Sequence, residues 1–80
     1  MKYSLAVFRA RTQTLLFIKL LNSYGVAASV VNTPRCLNVS CGISAKFASL
    51  YLNIAKDIVN RRKFDSFAGF YSIISKINFN

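Results

Sequence analysis

With 80 residues the chain has room for one hydrophobic core and not for two, because short chains bury a modest share of their surface. Its 54% hydrophobic content lets apolar burial offset chain entropy, so a folded domain is expected rather than disorder. Eleven Lys and Arg against two acids give a net charge of +9, which favours anionic partners and removes the paired carboxylates that acid–base hydrolysis needs.

Tyr3 to Phe8 is apolar and aromatic up to Arg9, the pattern of a mostly buried strand. A helix is predicted from Thr12, taken as its N-cap, to Tyr24, with Gly25 supplying the positive φ of a C-cap. The β-branched stretch Val26 to Asn32 predicts a second strand, ended by Pro34, which has no N–H to give a ladder. A loop from Pro34 to Gly42 carries both cysteines. Beyond it Ile43, Ala45 and Phe47 alternate with Ser44, Lys46 and Ala48, the period of a third strand.

Leu50 or Tyr51, then Ile54, Ala55, Ile58 and Val59, recur at helical spacing with Asn53, Lys56, Asp57 and Asn60 opposite them, so a second, amphipathic helix follows. It closes on Arg61, Arg62 and Lys63, cations suited to the negative end of a helix dipole. Phe67 to Ile74 reads as a fourth strand in which Gly69 marks a bulge or a close approach, and residues 75–80 read as a tail. The order β-α-β-β-α-β is that of one α+β, ferredoxin-like domain over residues 1–80. Such a domain is a four-stranded antiparallel sheet with both helices on one face. The uncovered face is expected to hold Ala6, Phe8, Ala48 and Phe70 as a homodimer surface.

Apolar runs are short, Leu15 to Ile18 being cut by Lys19, so membrane insertion is not expected. Arg9 and Arg11 likewise interrupt any signal-peptide core, which leaves a cytoplasmic location as the default expectation. Without histidine, and with only Asp57 and Asp65 as acids, the chain lacks a Ser-His-Asp triad or a Cys-His pair. Gly25, Gly42 and Gly69 are too dispersed to cradle a phosphate. Cys36 and Cys41 fall short of the four ligands of a structural zinc site, which a single chain could not complete, so no metal or cofactor is expected.

The predicted topology gathers the unusual residues at one sheet edge. Cys36 and Cys41 are expected there with Arg9, Arg11 and Arg35, the start of the first helix, and Arg61, Arg62 and Lys63. Cations and helix N-termini stabilise a thiolate, so a Cys41 thiol in that setting is expected to ionise below the free-thiol value of about 8.5. The alternative is a small buried hydrophobe, the commoner fate of a free cysteine. Five residues separate the two cysteines, which is not the Cys-x-x-Cys spacing of dithiol oxidoreductases, and a lasting disulfide is not expected in a reducing compartment. Phe67, Phe70 and Tyr71 are better explained by core packing or a dimer interface than by base stacking, since the third strand lacks an RNA-recognition signature.

Asn32-Thr33-Pro34-Arg35 followed by Ser40-Cys41-Gly42-Ile43 resembles the central motif of a bacterial family of selenium/sulfur carrier protein-like domains. The similarity extends to Lys2-Tyr3 through Phe8, to the helix beginning near Thr12 and to Lys46-Phe47, and so covers nearly the whole chain. Cys36 and the basic Arg9-Ala10-Arg11-Thr12 turn depart from the family pattern. The resemblance implies that Cys41 is the family cysteine, Gly42 its neighbour, and Thr33, Pro34 and Arg35 the preceding loop. It also implies that Cys41 accepts sulfur or selenium from a donor such as a cysteine desulfurase and passes it to another sulfur-transfer protein. Two other roles stay open: a module that binds an anionic ligand or RNA at Arg9, Arg11, Thr12, Arg35, Arg61, Arg62 and Lys63, and a small regulatory or assembly subunit.

Overall fold

The most deeply buried strand, β1 (Lys2–Phe8), runs inside the sheet, hydrogen-bonded to a neighbouring strand on either side. Leu5, Ala6, Val7 and Phe8 are all buried. The computed structural model of the chain describes residues 2–37 and 42–74. After β1 come α1 (Arg11–Ser23), β2 (Ala28–Asn32), β3 (Ile43–Ala48), α2 (Leu52–Arg62) and β4 (Phe67–Ile74). Short 3-10 turns occupy Arg35–Leu37 and Ser49–Tyr51. The four strands form one antiparallel sheet in the order β2-β3-β1-β4, the α+β ferredoxin-like arrangement with its two helices. The expected tail, 75–80, lies outside the described residues, and no described helix is long and apolar enough to cross a membrane.

The core lies between the sheet and the helices. Ala6, Phe8, Ala45 and Phe47 project into it from the strands, and Phe17, Ile18, Leu21, Ala55 and Ile58 meet them from α1 and α2. Phe8 is the centre of an aromatic cluster, with ring centroids of Phe17, Phe64 and Phe67 at 5.1, 5.1 and 5.3 Å. Phe70 continues the cluster through Phe67, at 4.8 Å. Core packing is therefore the role of Phe67 and Phe70, while Tyr71, one residue on, is partly exposed.

Three local expectations are corrected, and one open alternative is decided. Helix α1 begins at Arg11 with Ala10 as its N-cap, so Thr12 is an exposed residue of the first turn and not the cap. The Ala10 carbonyl accepts from the N–H groups of Gln13 and Thr14, which starts the helix before Thr12. Strand β2 begins at Ala28; Val26 is instead drawn into the core as the chain turns, its N–H bonded to the Leu21 carbonyl at 3.0 Å. Leu50 lies in the turn before α2 and is 77% exposed, whereas Tyr51 packs on the core.

The remaining correction concerns the predicted dimer surface. Ala6, Phe8 and Phe70 face the helices and are part of, or packed against, the core, so they form no outer surface. Only Ala48, paired with Tyr3, falls on the opposite face by strand alternation. That face carries Leu5 with Lys46 and Tyr71 on either side, and the Lys46 ammonium sits 4.3 Å from the centre of the Tyr3 ring. At Gly69, φ is +134°, and the β1–β4 register shifts between Val7 and Phe8. A Cβ on Gly69 would meet the Tyr71 ring at 3.4 Å, an ordinary contact, so this glycine marks the bulge and its positive φ rather than a close approach.

Candidate functional site

The carboxyl end of β1 defines the edge at which the candidate residues collect. Val7 pairs with Ser44 and Phe8 with Phe67, while Asn32 pairs with Ile43, so the end of β2 and the starts of β3 and β4 stand at the same edge. The α1 N-terminus follows β1 there, and α2 ends shortly before β4. Arg9 and Arg11 occupy the middle of this edge, Arg35 the β2–β3 side, and Arg61, Arg62 and Lys63 the β4 side. All six side chains are exposed.

Two polar clamps hold the edge in shape. On the β4 side Gln13 bridges α1 to the turn before β4: its Nε2 donates to Asp65 Oδ1 at 2.6 Å, and its Oε1 accepts from Ser66 N at 3.1 Å and Ser66 Oγ at 2.6 Å. Arg9 N adds a bond to the Ser66 carbonyl at 2.8 Å. On the other side Thr33 N donates to the Gly42 carbonyl at 2.9 Å, and the Thr33 and Ser44 hydroxyls are 2.6 Å apart. The stems of the 33–42 segment are thus fixed to each other. Leu37 N reaches back to the Pro34 carbonyl at 3.1 Å and closes the 3-10 turn that contains Arg35. Cys41, and the side chain of Cys36, lie outside the described residues.

Gly42 has φ of +86°, in the region that a side chain disfavours, and, chain neighbours aside, no described residue lies within 4 Å of the Cβ it lacks. Gly42→Ala is therefore expected to cost backbone strain alone, about 1–2 kcal/mol in chemical denaturation, with no change in core packing. Stability equal to that of the unsubstituted chain would show that the turn adapts freely.

The charges are unequally engaged. Asp57 accepts from Arg61 at 3.0 Å one helical turn away, an exposed pair worth a few tenths of a kcal/mol at most. Asp65 is held by Gln13. Thr12 is exposed in the first turn of α1 rather than capping it, whereas Thr33 and Pro34 lie directly after β2, as expected from the sequence. Among the described residues, no three His, Cys, Asp or Glu gather in a way that holds a metal ion.

Gln13, Ser44 and Asp65 were not among the candidates from sequence. Ser44 is buried in β3, and a buried hydroxyl needs a partner, which here is Thr33. Gln13 stands three residues after the N-cap, where a Gln often turns back on its own helix; here it reaches across to the turn before β4. The family model described as "Putative Se/S carrier protein-like" matches residues 2–72. No curated protein and no solved structure matches the chain.

Proposed function

The chain belongs to the Se/S carrier protein-like family, and from that premise we propose that it carries sulfur or selenium on Cys41. The observation that supports this reading is the match of the family model across the Pro34-Arg35 and Cys41-Gly42 steps. The Cys41 thiolate attacks the outer sulfur of a donor persulfide. A new S–S bond forms at Cys41, the donor S–S bond breaks, and the donor cysteine leaves as a thiolate. No oxidant is consumed, because the sulfane sulfur only changes its carrier. A second attack by an acceptor thiolate unloads Cys41 in the same way. Arg9, Arg11 and Arg35 favour the ionised thiol, and the donor is of the cysteine desulfurase class.

The expected result with a desulfurase and free cysteine is a gain of one sulfur atom on the chain, read by intact mass spectrometry and mapped to Cys41. Cys41→Ala should abolish it while Cys36→Ala leaves it intact. In Cys36→Ser protein, Arg35→Ala should raise the pH midpoint of Cys41 alkylation by iodoacetamide. An unlabelled chain, or equal labelling of Cys41→Ala, overturns the proposal.

A second reading draws on the six exposed cations at one edge, Arg9, Arg11, Arg35, Arg61, Arg62 and Lys63. It makes this edge a binding surface for an anionic ligand or RNA that needs no thiol, so binding survives Cys41→Ala and falls steeply with salt.

A further inference from the structure

Sheet edges are usually guarded, because a row of free N–H and C=O groups invites another strand. Here the two edges differ. β4 carries Gly69 and the register shift. β2 carries no such guard: Ala28-Ser29-Val30-Val31-Asn32 has no charge, no proline and no glycine, and it pairs with β3 in unbroken register.

The direction of its backbone groups follows from the bonds at its two ends. Thr33 N donates to the Gly42 carbonyl on the β3 side, and alternation turns Val31 and Ser29 the same way. Ala28 N points away from β3 and is taken by Asn22 Oδ1 at 3.2 Å. Val30 and Asn32 therefore present N–H and C=O outward, where no described strand stands. Val30 itself is 49% exposed.

The Asn22 bond also identifies the flank of α1 that faces β2. Arg11, Leu15, Lys19 and Asn22 follow at steps of four, four and three, one stripe of the helix. Leu15 is 43% exposed, and the two cations that bracket it are exposed as well. A free strand edge thus runs beside an apolar shelf, Val30 and Leu15, with a cation at either end of the leucine.

We propose that β2 docks an extended acidic segment of a partner protein by strand addition. The segment lays apolar side chains on Val30 and Leu15 and carboxylates toward Arg11 and Lys19. Charge selects this occupant. A second copy of the chain would bring the same stripe and a further +9 to the same edge. The inference does not rest on sulfur transfer, and Cys41→Ala leaves the docking unchanged.

The probe is a capped peptide about nine residues long, with threonine at odd positions and glutamate and valine alternating at even ones, a length suited to one strand. At low salt it should slow hydrogen exchange at the Val30 and Asn32 amides, and replacing its glutamates by lysine should weaken it about tenfold or more. Val30→Pro removes the outward N–H without touching the β3 ladder and should weaken binding about tenfold with the far-ultraviolet spectrum unchanged. Should that variant unfold, Leu15→Asp tests the same surface from an exposed helical position and should also lose the peptide. Equal affinity for the lysine peptide, binding indifferent to these substitutions, or exchange protection elsewhere would overturn the proposal. So would a dimer by light scattering whose Val30 and Asn32 amides are already protected, since the occupant would then be a second copy.

Discussion

Phe8→Ala is expected to destabilise the domain by about 3–5 kcal/mol, the range for removing a large buried aromatic ring. Phe8 is fully buried and touches three rings from three parts of the chain: Phe17 on α1, Phe64 after α2 and Phe67 on β4. The cavity left behind is lined by aromatic edges that cannot rotate into it without losing their own contacts. A domain of this length has total stability on the order of 4–12 kcal/mol, so the variant should be largely unfolded or melt far below the parent. Urea titration followed by circular dichroism measures this. Leu50→Ala, at a position 77% exposed, is the control and should move stability by about 0.5 kcal/mol or less. A cost below about 1 kcal/mol for Phe8→Ala would mean that the cluster is not the keystone of the core.

Under the RNA-binding reading, affinity for a single-stranded oligonucleotide should fall roughly 10²–10³-fold between about 50 and 200 mM salt. Each neutralised phosphate contributes about −0.7 to the slope of log affinity against log salt, and six cations give about −4. Arg61→Ala, Arg62→Ala and Lys63→Ala combined should bring the slope to about −2, because three of the six contacts are gone. Arg61 is the least free of the three, being engaged by Asp57, so its single substitution should have the smallest effect. Cys41→Ala should leave the slope where it was. A flat salt response, or no binding at low salt, removes this reading without touching sulfur transfer.

The strand and helix order was readable because most elements announce their period. β3 alternates and α2 is amphipathic, and both appear where the pattern puts them. β1 was legible as a strand but not in its facing, since four consecutive apolar residues show no alternation. The apolar pattern therefore does not say which side Phe8 takes, and its place in the core with Phe17, Leu21 and Ile58 assigns it to the helix layer. The start of β2 was missed for a related reason: Val26 has strand propensity, yet its burial is achieved in a turn. The candidate edge could be inferred from topology alone, as parallel placement of β1 and β2 dictates which ends coincide. The Gln13 clamp could not be inferred, because it joins residues 52 and 53 positions apart through side-chain geometry.

The position of β1 also bears on how the chain is made. β1 leaves the ribosome first among the described strands, takes the centre of the sheet, and receives its β4 neighbour only after every other described element has been synthesised. Until then one side of a largely buried strand is an open edge, and Phe8 lacks Phe67. Nascent chains that end before β4 are thus expected to be aggregation-prone, because that edge of β1 stays unpaired until the last described strand is made.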